Sequence, residues 1–246
     1  MRNISLTIEY LGTNYCGFQR QKNGLSVQEV LEKAIFEATN EKISLTPSGR
    51  TDAGVHALGQ VVNFMYEGSI PTNKLKIVIN QHLPKDIRVV DTKERELDFN
   101  ARKSAKKKTY LYKIYTGETL SVFDEDRALH YPQQLNHNLL NKCAKALVGE
   151  HDFSSYVASG ASTSTTVRTI YSATFEQEGD YLYFHITGNG FLYNMVRILV
   201  GTMLEVATNK RTFESFAKSL SGGKRCDVGR TAKACGLYLE SVEYEC

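Results

Sequence analysis

Arg50 and Asp52 stand two residues apart in the stretch "PSGRTDAGVHALGQ", residues 47–60, with Gly49 and Gly54 on either side and a hydrophobic run behind. In an extended backbone, residues i and i+2 project to the same side. The guanidinium then lies near the carboxylate and favours its ionised form. Glycines let the backbone approach a bulky ligand, and short loops ahead of core strands often carry reactive groups. A carboxylate held this way serves as nucleophile or as base. The same residues also fit a plain turn in which the aspartate bonds its own backbone.

Two other groups carry chemical potential. Residues 99–113, "FNARKSAKKKTYLYK", hold six Lys or Arg and no acid. On a strand, Tyr110 and Tyr112 share one face and Lys113 and Tyr115 the other. Lysines neutralise phosphates and tyrosines offer faces to stacked bases. The competing reading is a solvated loop that leads into a core strand. Arg197 lies inside "FLYNMVRILVG", where ten of the sixteen residues 191–206 are Phe, Leu, Met, Val or Ile. A charge buried there is costly unless paired. Asn194, Arg197 and Gly201 follow i, i+3, i+7 and form a narrow polar or small stripe. Arg197 either aims at a carboxylate in a cleft or covers apolar neighbours with its stem.

Other chemistries find no support. There is no GxGxxG after a strand, no GxxxxGK, no GxSxG and no HExxH, and the six histidines do not pair at metal-ligand spacing. Neither a nucleotide cofactor nor a metal is expected. The five cysteines (16, 143, 226, 235 and 246) are scattered and form no CxxC. They read as reduced thiols of a cytoplasmic protein. No apolar run of about 18 residues predicts a membrane span, and "MRNISLTIEYLG" alternates like a strand rather than a signal peptide. The net charge of +3 is too mild to indicate a nucleic acid by itself; the clustering of the charge says more.

The elements that must position these residues follow from periodicity. Ile4, Leu6, Ile8 and Tyr10 alternate as a strand. In "LSVQEVLEKAIFEATN", Ser26 and Glu29 form a capping box, Leu25 and Val30 a staple, and Val27, Val30, Leu31, Ala34, Ile35 and Ala38 one face of a helix. "KISLT", "QVVNFMYE" and "DIRVVDTKE" read as strands, and "NKLKIVINQHL" as a helix. The second part repeats the rhythm. It has a strand at "KKTYLYKIYTG", a helix ending before Gly149 and a hairpin turning at "EGD". An apolar helix at "FLYNMVRILVGTMLEVA" and a closing strand at "GLYLESVEYE" complete it. The 246 residues predict an α+β fold of two ferredoxin/RRM-like subdomains, residues 1–104 and 105–246. They are expected to form one continuous, mostly antiparallel sheet with helices on one face and a cleft between the halves. The hairpin signals argue against a single α/β barrel.

"GRTDAGVHALGQVVNF", "DFNARKSAKKKTYLYKIY", "FLYNMVRILVG" and "TAKACGLYLESVEY", with "YLGTNYCGFQRQ" and "SVQEVLEKAI" near the start, resemble the tRNA pseudouridine synthase A family. The blocks run in order over nearly the whole chain. The resemblance implies that Asp52 is the catalytic aspartate and that Arg50 evicts the target nucleotide and fills the vacated space. It further implies that Tyr110 stacks on the target uracil and that Arg197 pairs with the aspartate. Phe99, Asn100, Ala101, Arg102, Lys103, Lys107, Lys108 and Arg168 match places that touch tRNA. The implied substrate is uridine in the anticodon stem-loop, just 3′ of the anticodon. The implied assembly is a cofactor-free homodimer with the RNA bridging two subunits. Lys107-Lys108 stand where arginine is frequent in the family, and Phe18 where tryptophan is.

Isomerising uridine breaks the bond from N1 to the sugar and makes one from C5, with no change of oxidation state. Asp52 would attack the sugar carbon, remove a sugar proton, or attack the ring; the residues leave all three routes open. A paired base must first be flipped out, at a cost of a few kcal/mol. Two other functions fit parts of the chain. One is a non-catalytic RNA-binding module built on the basic, aromatic strand. The other is a small-substrate glycosidase, for which a second carboxylate is missing.

Overall fold

The computed structural model describes residues 1–22, 24–158, 160 and 163–245. Its elements are β1 (Arg2–Tyr10), α1 (Val27–Thr39), β2 (Thr46–Pro47), β3 (His56–Tyr66), α2 (Thr72–Asn80), β4 (Ile87–Arg95), β5 (Ala105–Tyr115) and β6 (Leu129–His130). There follow α3 (His137–Leu147), β7 (Gly149–Asp152), β8 (Val167–Glu178), β9 (Tyr181–Gly188), α4 (Met195–Ala207), α5 (Phe213–Ser219) and β10 (Leu237–Tyr244). The fold class is α+β, and the strand pairs are mostly antiparallel. Contacts divide the chain into two compact units, Met1–Lys106 with Tyr238–Cys246, and Lys107–Leu237.

In the first unit, β1 lies between β3 and β4 and is antiparallel to both. Ile4 faces Phe64 and Leu6 faces Val62; all four are buried, as are Ile8 and Tyr10. Burying each such side chain contributes about 1.5–3 kcal/mol. The free edge of β3 is shared: β2 pairs at Asn63 and Val62, and β10 runs parallel at His56 and Ala57. The order β4-β1-β3-β2 is that of a ferredoxin-like sheet. Ser26 caps α1, accepting the Glu29 N–H at 3.2 Å, and Val27, Leu31, Ala34 and Ile35 are buried. Leu25 does not act as a staple. Its side chain is 52% exposed, and its carbonyl takes the Cys16 N–H.

The strand expected over residues 42–46 shrinks to Thr46–Pro47. The Leu45 N–H goes to the Glu32 carboxylate of α1 at 3.1 Å, so it is lost to any ladder. Pro47 has no N–H to donate.

The second unit orders its strands β5-β9-β8-β7, with β6 beside β5. β8 and β9 form the expected hairpin, turning at Gly179 (φ +56°) and Asp180. Tyr110 faces Ile186, Tyr112 faces Phe184 and Ile114 faces Leu182. All six are buried. Asn136 caps α3, and Gly149 follows its end at φ +117°.

The apolar helix begins at Met195, four residues later than expected, because Asn194 sits in the left-handed region at φ +60°. Ten of the residues of α4 are buried. Segment 229–232 lies along it. Gly229 N–H donates to Thr202 Oγ1 (3.0 Å) and Arg230 N–H to Glu205 Oε1 (3.1 Å). Ala232 N–H donates to the Arg197 carbonyl (3.0 Å). A Cβ at Gly201 would come within 1.8 Å of the Arg230 carbonyl oxygen, so only glycine permits this approach.

Among the described residues, no helix is long and apolar enough to cross a membrane, and no cluster of His, Cys, Asp and Glu could hold a metal ion. Cys16, Cys143, Cys226 and Cys235 are free thiols; Cys246 lies outside the described residues. Burial pushes the Cys143 thiol up to about 12, so it carries no thiolate at neutral pH.

Candidate active site

The loop from β2 to β3 carries Arg50, which is exposed, and Asp52, which is half-buried. Buried polar groups hold its backbone from several sides. From β3, the Gln60 amide donates to the Gly49 carbonyl at 2.8 Å and accepts from the Ser48 hydroxyl at 2.6 Å. From β1, the Tyr10 hydroxyl lies 2.7 Å from Thr51 Oγ1. Burial pushes the Tyr10 hydroxyl up, which keeps it protonated and able to donate. From the loop after β1, the Phe18 N–H donates to the Thr51 carbonyl at 3.0 Å, and Gly17 bridges to Asp52. Residues 52–55 form a main-chain turn: Val55 N–H donates to the Asp52 carbonyl at 3.1 Å, and Gly54 takes φ +75°.

His56 closes the other end of the loop. Its Nδ1 accepts the Gly12 N–H at 2.9 Å, so the ring proton sits on Nε2. The ring is fully buried and faces Tyr238 at 4.6 Å. A Cβ at Gly12 would meet the Val55 carbonyl oxygen at 2.0 Å. Together these contacts fix the path of residues 48–56.

Phe99, Asn100, Ala101, Arg102 and Lys103 form a tight turn in the same unit. Asn100 Oδ1 accepts the N–H groups of Arg102 (3.1 Å) and Lys103 (3.0 Å). Ala101 is buried, whereas Arg102 and Lys103 are exposed. The Arg95 guanidinium lies over the Phe99 ring at 4.9 Å, and Tyr244 packs against the same ring at 5.0 Å.

In the second unit, one end of the sheet gathers the start of β5, the end of β9 and the start of β8. Lys108 pairs with Gly188, and Gly188 with Ile170. Lys107 is exposed, with its ammonium 5.8 Å from the Tyr171 ring. Tyr110 is 9% exposed and meets Phe191 edge-on at 5.1 Å. Arg168, near Gly190 at this end, donates to the carbonyls of Thr165 (3.0 Å) and Val167 (2.6 Å). Arg197 stands in the first turn of α4. Its Nε donates to the Ala232 carbonyl at 2.8 Å and its Nη1 to Asn194 Oδ1 at 2.7 Å. The stripe Asn194–Arg197–Gly201 is therefore the seat of segment 229–232, and Arg197 is oriented by both its neighbours.

Known proteins match the chain closely. The family model described as tRNA pseudouridine synthase matches residues 6–102 and 143–245. This chain belongs to the tRNA pseudouridine synthase family. Its curated relatives include proteins named tRNA pseudouridine synthase A from Acetivibrio thermocellus and Caldicellulosiruptor saccharolyticus. Each is 44% identical over 244 residues, covering 99% of this chain and all of the relative. The protein of that name from Clostridium acetobutylicum is 42% identical over the same span. The matched span 6–102 includes the whole of the loop held by Tyr10, Gln60, Gly17 and His56.

Those holding residues did not stand out in the sequence. Tyr10 and Gln60 sit at core positions of strands and read there as packing. A buried polar residue such as Gln60 in an otherwise apolar strand is the signal that marks one.

Proposed function

We propose that the chain isomerises uridine in the anticodon stem-loop of tRNA, just 3′ of the anticodon, with Asp52 as the reacting carboxylate. Family membership makes it an isomerase of tRNA uridine. In this reaction the N1–C1′ bond breaks and a C5–C1′ bond forms; C5 loses its proton and N1 gains one. Asp52 acts on the sugar or the ring as nucleophile or base. Arg50 takes the space of the flipped nucleotide, Tyr110 covers the uracil face, and Arg197 supplies the counter-charge. Lys107, Lys108, Arg168 and residues 99–103 hold phosphates and sugars. The enzyme works as a homodimer in the cytoplasm without a cofactor.

The observation that carries this reading is the rigid seat of the 48–56 loop. Its carbonyls at Gly49 and Thr51 are taken by Gln60 and Phe18, which holds the main chain on both sides of Arg50 and next to the half-buried Asp52. Mapping pseudouridine at each uridine of tRNA treated with the purified protein tests it. New pseudouridine is expected just 3′ of the anticodon. Product elsewhere in the tRNA would contradict the assigned site, and RNA binding without product would favour a non-catalytic module.

A further inference from the structure

Asn3 and Asn63 are almost fully buried, at 1% and 7% exposure, on β1 and β3. They stand on the sheet face opposite Ile4, Leu6, Val62 and Phe64. A buried amide is costly unless its donors and acceptors are matched. Here the matching runs to the main chain of one segment. Asn3 Nδ2 donates to the carbonyls of Glu96 (3.0 Å) and Phe99 (2.8 Å). Asn3 Oδ1 accepts from Asn63 Nδ2 at 2.9 Å. Asn63 Oδ1 accepts the Ala101 N–H at 2.8 Å. The Tyr244 hydroxyl donates to the Ala101 carbonyl at 2.8 Å. The path of residues 96–101 is thus set by side chains of β1, β3 and β10.

Arg102 and Lys103 follow directly. Both are exposed, and their N–H groups are tied to Asn100 Oδ1. We infer that Asn3 and Asn63, backed by Tyr244, are positioning residues that fix the turn from which Arg102 and Lys103 reach tRNA phosphates. The inference rests on the proposed role of residues 99–103 in holding tRNA. A satisfied amide network specifies geometry more than it adds stability, which is what placing two exposed cations requires. An apolar pair would bury the same segment but leave its carbonyls unaddressed.

The test measures pseudouridine formation on whole tRNA by wild-type protein, Asn63→Ala, Tyr244→Phe and Arg102→Ala/Lys103→Ala, plus Asn63→Ala in that double variant. The expected KM for tRNA rises roughly tenfold in Asn63→Ala and less in Tyr244→Phe. The kcat stays within about twofold, and the slope of log KM against log salt flattens by roughly one to two. In the Arg102/Lys103 background, Asn63→Ala adds nothing further to KM, because the groups it positions are gone. A fall in kcat at unchanged KM, or an equal rise of KM in both backgrounds, would assign Asn63 a structural role and overturn the inference. If Asn63→Ala does not fold, Tyr244→Phe decides, and an unchanged KM and salt slope there overturns the inference as well. If Arg102→Ala/Lys103→Ala leaves KM and salt slope unchanged, the proposed role of the turn itself falls. If that double variant raises KM while folded Asn63→Ala does not, the turn keeps its role and only the positioning inference fails.

Discussion

Gly17 presses against the backbone of the Asp52 loop. A Cβ at position 17 would stand 2.7 Å from the Thr51 carbonyl oxygen and 3.3 Å from the Asp52 carbonyl carbon. Gly17 also adopts φ +114°, a conformation that L side chains resist. The loop after β1 and the loop before β3 are therefore fitted to each other at the level of main chain.

This contact makes Gly17→Ala a displacement, at a distance, of the group proposed to react. The added methyl must push Thr51 and Asp52 away, and a shift of about 1 Å can lower catalysis by about a hundredfold. The expected outcome is a large loss of kcat with tRNA affinity intact, checked by single-turnover kinetics beside a binding titration. A variant with normal kcat would show that the loop tolerates movement.

Tyr10 reaches the same loop from below. Tyr10→Phe leaves the buried Thr51 hydroxyl without its 2.7 Å partner. The expected cost is about 1–3 kcal/mol, or a Tm lower by roughly 2–10 °C for a chain of this size. Thermal denaturation by circular dichroism measures it. An unchanged Tm would mean that Thr51 finds another partner.

The elements were largely legible because their signals are local. Ser26 three residues ahead of Glu29 marks the start of α1, and Gly179 marks the β8–β9 turn. What was hidden depends on partners far along the chain. Leu45 looks like a strand residue, yet Glu32 takes its N–H. Asn194 reads as a helix residue, yet its left-handed backbone delays α4 while its side chain holds Arg197. α5 is capped by Thr212 through the Ser215 N–H, yet at only 7 residues it is too short to show a helical period in the sequence. In the candidate site, Arg50 and Asp52 announced themselves by type and spacing. Asn3 and Asn63 did not, since their role exists only where β1 and β3 meet residues 96–101.

The lysines of β5 offer an electrostatic test. Lys106 is paired with Glu245 at 3.0 Å, and its side chain and that carboxylate are both largely exposed, so the pair is weak and Lys106 can exchange to a phosphate. Replacing Lys106, Lys107 and Lys108 together by Ala is expected to weaken tRNA binding and to reduce the salt slope by roughly two to three. Titrations at several salt concentrations measure this. An unchanged slope would remove phosphate contact from these residues.

The contact between Asp124, Lys113 and Tyr181 has its own pH window. Hydrogen bonds from Lys113 Nζ (2.5 Å) and the Tyr181 hydroxyl (2.7 Å) hold its carboxyl below the usual carboxylate range. The same bond to Asp124 raises the Tyr181 hydroxyl to about 12. A depressed carboxyl stabilises the fold above its unfolded value near 3.9 and loses that effect as pH falls through the folded value. A raised phenol stabilises the fold below about 10 and loses that effect as pH rises toward 12. The contribution of the contact is therefore complete between about pH 4 and pH 10. Denaturant unfolding of Asp124→Asn against pH should show a shallower acid limb than the wild type. Identical acid limbs would assign acid sensitivity to other groups.

The proposed role of Asp52 is tested most directly by replacing its carboxylate and measuring chemistry and binding on the same samples. Asp52→Ala and Asp52→Asn are expected to lower single-turnover pseudouridine formation by roughly 10⁴-fold or more, with tRNA Kd within about threefold because the lysines remain. Product formed at the wild-type rate by either folded variant would contradict the assignment of Asp52.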